Sequence, residues 1–242
     1  GYALYDDRDV GASVTFGRLI NEDLRLFLTL KKEHIEITED PASQFVPVGL
    51  GTGDINSVAL AGLYDTRDDI FNPHKGTYIN LGVVGAGGPL GGNFKYTKVQ
   101  GEFRKYIPMK KDRVIATRFW GGSINGTAPV TEFFFLGGID TLRAYPDNSL
   151  LGTSFILANA EFRFPIAKLK LLSGAVFAEA GNAYNNGTLS NAQTFNNGRG
   201  LLTDGGVGLR LVYPSLGLGV IRLDYAVGQN GGRSSVGIGQ SF

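Results

Sequence analysis

The chain has 242 residues, enough for one large domain with no linker dividing it. Cysteine is absent, which excludes a disulfide framework and thiolate metal sites, and 23 Lys+Arg against 22 Asp+Glu leave a net charge of +1, too balanced to suggest a nucleic-acid partner. The 36 glycines and 11% aromatics suit an all-β chain, a soluble barrel or an outer-membrane barrel, and no apolar run reaches the roughly 18 residues of a transmembrane helix. No signal peptide opens the sequence, so Gly1 reads as a processed or truncated start.

Residues 1–5 read as the stub of a first strand. Residues 11–19 then alternate, with Ala12, Val14 and Phe16 on one face and Ser13, Thr15 and Gly17 on the other. After a tight turn at Ile20 and Asn21, Leu24, Leu26, Leu28 and Leu30 interleave with Arg25, Thr29 and Lys31 in a strand that runs to Ile37, long for a soluble protein. A Pro/Gly loop over 40–54 leads to a strand at 57–64, a structured turn at 65–76 and a strand at 77–84. The glycine loop 85–93 lacks a phosphate-cradling spacing and reads as a turn. Strands at 95–107 and 113–121 flank a short turn at 108–111.

Beyond the loop at 125–152, Ile156, Ala158, Ala160, Phe162 and Phe164 alternate with Asn159, Glu161 and Arg163. Short turns at 165–168 and 214–215, a polar loop at 182–204 and a hairpin at 229–233 separate the remaining strands. The last of these runs to the end, with Val236, Ile238, Gln240 and Phe242 on one face. Counted this way there are eleven to twelve strands, with short connections at one end and longer ones at the other, the pattern of an antiparallel transmembrane β-barrel. A large soluble sandwich is the alternative. Against it, Arg25, Lys31, Glu161, Arg163, Glu179, Arg210, Arg222 and Asp224 all sit mid-strand opposite apolar residues, as in a polar barrel interior.

The loop at 125–152 is the odd stretch. It begins with three consecutive phenylalanines (133–135), bends at Gly137-Gly138 and carries Arg143 between Leu142 and Tyr145. This composition predicts a segment folded into the barrel with Arg143 at its tip. A buried arginine needs a carboxylate, since an unpaired charge inside would cost several kcal/mol. By parity Glu179 faces inward, as does Asp224, for which Arg222 is the expected neighbour. Gly206-x-Gly208, leading to Arg210, reads as a smooth track along which the loop backbone could approach the wall. A solvated Arg143 at a free loop tip remains the alternative.

YDTRDDIFNPHKGTY (64–78), the GG…LRAY loop, FAEAG, GGVGLRL, RLDYAVG and the closing GIGQSF occur in one order along the whole chain. Together they resemble the BamA-type surface-antigen superfamily of outer-membrane assembly factors and two-partner secretion transporters, whose relatives include TamA. The resemblance implies a bacterial or organellar outer-membrane location and a barrel of sixteen strands preceded by periplasmic POTRA domains. This chain, as a single barrel domain over 1–242 without POTRA, would be part or a small version of that barrel. It also implies that Leu142, Arg143, Ala144 and Tyr145 form the family's loop tip, with Ala144 in place of its glycine. Phe177, Glu179 and Gly181 would match the family's acidic wall motif, and Phe242, with Gln240 and Ile238, the terminal assembly signal beside a weak seam.

The implied partners are the lipid bilayer, unfolded outer-membrane proteins or a secreted client, and periplasmic accessory proteins or POTRA domains outside this chain. The function implied is insertion through a lateral seam by strand pairing, or alternatively secretion or a passive pore with the loop as plug. Nothing predicts an enzyme or a cofactor. The two histidines, His34 and His74, neighbour no nucleophile motif, and no P-loop, G-x-S-x-G or H-E-x-x-H occurs.

Overall fold

The computed structural model describes residues 5–39, 52–166, 171–184, 200–212 and 219–242. The strand stub expected before Tyr5, most of the 40–54 and 182–204 loops, part of the 165–168 turn and the 214–215 turn lie outside the described residues. Eleven strands form one antiparallel sheet in chain order. They are β1 (Tyr5–Leu19), β2 (Leu24–Glu39), β3 (Thr52–Asp65), β4 (Gly76–Ala86), β5 (Lys95–Met109), β6 (Arg113–Thr127), β9 (Ser154–Pro165), β10 (Leu172–Tyr184), β11 (Leu202–Val212), β12 (Val220–Gly228) and β13 (Gly231–Ile238). The short pair β7 (Phe134–Leu136) and β8 (Leu150–Gly152) forms its own two-stranded sheet within the loop between β6 and β9, while β6 and β9 pair directly. The edge strands β1 and β13 each have one neighbour among the described residues.

The period-two pattern sets the two faces of this sheet. Val14, Phe16, Leu28, Leu81, Val99, Phe119, Ile156, Val207, Leu223 and Val236 are exposed on the outer face. So much apolar surface in one belt would be a liability in water and is what lipid requires. Arg118, Asn159, Glu161, Arg163, Glu179, Arg210, Arg222 and Asp224 are buried on the inner face. With 15 and 16 residues, β1 and β2 exceed the roughly 9–11 needed to cross a bilayer, so the wall stands beyond the membrane there.

Several strand boundaries differ from the sequence expectation: β3 starts at Thr52 rather than 57, within the expected 40–54 loop, and β6 runs on to Thr127 rather than 121. Residues 5–19 are one uninterrupted strand, paired with β2 from Tyr5 to Leu19. The hairpin at 229–233 is tighter than expected: β12 reaches Gly228, β13 starts at Gly231, and those two residues pair across the turn. The last strand stops at Ile238, because Gly239 has φ 84° and reverses the backbone. Phe242 therefore does not share a face with Val236 and Ile238. Its ring is buried on the inner side of the sheet against Tyr106, Val114 and Ala116, and its carbonyl accepts a hydrogen bond from Arg163 Nη2 at 3.1 Å.

At the same end of the wall, the turn after β3 is fixed by its own side chains. Asp69 Oδ1 accepts from the Phe71 and Asn72 N–H groups. Burial opposes the charge on Asp68, but the Lys75 and His74 N–H groups donate to its carboxylate and hold it below its ordinary range.

Candidate functional site

Between β6 and β9 the chain leaves the wall and folds inward as a plug. Phe133, Phe134, Leu136, Leu142, Leu150 and Leu151 are buried in one apolar cluster with Ile35, Ile37, Ile55, Tyr96 and Ile124 from the inner faces of β2, β3, β5 and β6. Phe134 and Trp120 both pack on Phe155, at 4.6 Å and 4.9 Å between ring centroids. This apolar filling explains the run of phenylalanines: they pack on an apolar patch that the inner faces of β2, β3, β5 and β6 supply. The bend follows from Gly137 and Gly138, at φ 100° and 101°, where a side chain at Gly137 would strike the Pro146 carbonyl.

The bend delivers Arg143 to the inner wall with no solvent exposure. Its backbone N–H donates to Glu179 Oε2 at 2.8 Å and its Nε to Glu179 Oε1 at 2.9 Å. Nη1 reaches both Glu161 Oε2 at 3.0 Å and Asp224 Oδ2 at 3.1 Å. The Phe177 ring lies under the guanidinium, 3.4 Å from its carbon, a desolvated contact worth about 2 kcal/mol.

Arg210 closes the network from the far side, donating to Asp224 Oδ1 at 2.5 Å and to Glu161 Oε2 at 2.9 Å. Arg163 Nε bonds Glu161 Oε1 at 2.7 Å. Three guanidiniums thus face three carboxylates. A fourth carboxylate, Asp204, lies beside Glu179, and removing any member of the network would leave its partner underpaired and dry.

The rest of the tip is held through its backbone. The Ala144 N–H donates to Asp204 Oδ2 at 3.1 Å, Tyr145 Oη to the Thr203 carbonyl at 3.2 Å, and Asn159 Nδ2 to the Thr141 carbonyl at 2.8 Å. From the neighbouring strand β6, where Arg118 pairs in register with Asn159, Arg118 Nη1 donates to the Asp140 carbonyl at 2.8 Å.

Glu179, Phe177, Asp224 and Arg210 thus meet at Arg143, with Leu142 and Tyr145 buried beside it. Gly181 does not touch the tip; a Cβ there would press on Leu157 Cδ1 at 3.0 Å and the Ile156 carbonyl at 2.8 Å. The glycine track has a different use from the expected one. Side chains at Gly206 and Gly208 would strike the Phe177 ring and the Asp224 carboxylate, so these glycines make room for wall side chains rather than for the loop backbone. Nor is Arg222 the partner of Asp224, because it turns to Asp140 of the plug.

Sequence reasoning missed Glu161 as a partner of Arg143, although its mid-strand parity was visible, and it missed Asp204, Asn159 and Arg233, which only the assembled barrel brings near. Ile238 is 66% exposed on the outer face of β13, and Gln240 donates from Nε2 to Asn72 Oδ1 at 2.9 Å.

Comparison with known proteins agrees with this architecture. The chain is 28% identical over 148 residues to the outer membrane protein assembly factor BamA of Nitratidesulfovibrio vulgaris, covering 58% of this chain but 19% of that relative. It superposes on BamA from Haemophilus ducreyi lacking POTRA domains 1–3 with a TM-score of 0.77 at 18% identity, over 93% of this chain and 51% of that one. CdiB from Acinetobacter baumannii gives a TM-score of 0.64 at 10% identity, over 97% and 42%. The chain therefore spans about a fifth to a half of these proteins. A family model described as the Omp85 superfamily domain matches residues 2–242. Its members are integral outer-membrane β-barrels, assembly factors and transporters rather than enzymes. A match that omits only Gly1 settles the family: the chain belongs to the Omp85 superfamily.

Proposed function

We propose that this chain is the wall and plug of a machine that inserts other β-barrel proteins into the outer membrane, with β13 as one lip of a lateral seam. The observation that carries this reading is the condition of β13. It has eight residues, three of them glycine, against 15 in β1, and the chain abandons the sheet at Gly239. A short edge strand that stops pairing early offers unpaired backbone N–H and C=O groups, which an incoming strand can take up by β-augmentation. The clients would be unfolded outer-membrane proteins. Periplasmic accessory proteins or POTRA domains outside this chain would deliver them.

These 242 residues contain no cysteine, so an engineered pair within them competes with no other thiol of this domain. The full-length protein carrying this domain would be reconstituted in liposomes, with one cysteine in β13 and one in the strand facing it across the seam. Oxidation should stop insertion of a urea-denatured barrel client, and reduction should restore it. Undiminished insertion with the cross-link closed would sink the seam reading.

A protein-secretion translocator or a gated pore is the second reading. The plug favours it, because the segment is held by hydrogen bonds and ion pairs that can be released without breaking the wall.

A further inference from the structure

Besides the Arg143 network, the apolar cluster and the backbone contacts of the tip, a further set of contacts holds the plug. The carboxylates that Arg143 reaches come from β9, β10 and β12, and none lies on β13. The further set runs along the inner side of β13. Arg233 Nη1 donates to the Tyr145 carbonyl at 2.6 Å, and its Nη2 to Asp147 Oδ2 at 2.9 Å. Four residues further on, Gly237 faces the start of the same segment. A Cβ there would stand 3.1 Å from Ile139 Cδ1 and 2.6 Å from Arg222 Nε. Arg222 reaches past this glycine to Asp140, and Ser241 Oγ donates to the Ile139 carbonyl at 3.4 Å.

Residues 139–147 therefore lie against β13 for about 13 Å of its length, the span of four strand residues. An edge strand with a ladder on one side only, and glycine at three of its eight positions, has little of its own to hold it. The close approach at Gly237 and the paired donors of Arg233 supply what is missing.

We infer that plug residues 139–147 act as an internal splint for β13: Arg233 is a positioning residue that ties the edge strand to the plug, so that release of the plug frees the strand. The importance of that release for insertion rests on the seam reading above, whereas the splint itself does not.

Hydrogen–deuterium exchange on the full-length protein in lipid nanodiscs tests this without any client, so its outcome is separable from that of the insertion assay. In Arg233→Ala, amides of residues 232–238 should exchange about tenfold faster, while those of β10 and β11 keep wild-type rates. Arg233→Lys, which keeps one donor to the Tyr145 carbonyl, should recover part of the protection. Gly237→Ala keeps Arg233 and its donors and should loosen the same amides by pushing on Ile139 and on Arg222, which pairs with Asp140 of the plug. Unchanged exchange of β13 in both Arg233→Ala and Gly237→Ala would overturn the splint. So would a rise spread evenly from β9 to β13, which would report general destabilisation instead.

Discussion

Arg143 is held by three carboxylates at once, and this changes what a charge swap can do. Placing Glu at 143 and Arg at 179 would leave the new carboxylate against Glu161 and Asp224, so the reversed pair should not restore the lock. A neutral cycle is the sound test. Arg143→Met should cost about 3–5 kcal/mol by leaving buried carboxylates underpaired, and its coupling to Glu179→Gln should amount to about 1–3 kcal/mol. Both are measurable as shifts in the temperature at which the folded, SDS-resistant form is lost.

The neighbouring alanine has a partner of its own. Ala144 occupies space that Gly228 leaves open, and a Cβ on Gly228 would lie 2.9 Å from the Ala144 Cβ and 3.2 Å from the Tyr145 ring. Gly228→Ala should therefore destabilise by about 1–3 kcal/mol, and Ala144→Gly in the same chain should recover most of it in the same assay. The sequence shows Ala144 as crowding; it does not show the glycine far along the chain that relieves it. Parity tells which side chains point inward, but which of them meet depends on curvature and strand stagger, and these leave no local pattern.

Among the elements, the plug is the part whose nature could be read from residues and whose attachment could not. Phe133, Phe134 and the Gly137-Gly138 bend announce a folded-in segment. Gly137→Ala would strain a position at φ 100° by about 1–3 kcal/mol and drive a methyl towards Pro146. The expected result is a plug that proteases cut between residues 133 and 150 while the wall stays intact. The final strand shows how periodicity can mislead. Val236, Ile238, Gln240 and Phe242 keep period two without a break, yet the positive φ at Gly239 ends the strand and turns Phe242 inward. Alternation records faces only while the backbone stays extended. A single left-handed glycine resets it.

For the whole molecule, the outer apolar belt and the inward-facing charges were legible as an outer-membrane wall because they recur in strand after strand. The solved structures that superpose on the sheet are about twice the length of this chain. Planar-bilayer recording of the full-length protein separates the two functional readings. An insertion machine with a docked plug should show little steady conductance in the wild type, and Arg143→Ala should add large, flickering openings. A wide, stable channel already present in the wild type would favour the pore.

The lock also has a place in time. Arg143 precedes Glu161 by 18 residues, Glu179 by 36 and Asp224 by 81. The apolar filling of the plug needs mostly residues that come before it, whereas its arginine must wait for strands that come after, and the most distant contact carries the largest loop-closure cost. Arg143 thus has its full set of acceptors only once β12 has joined the wall, and closing the lock marks the wall as assembled as far as β12.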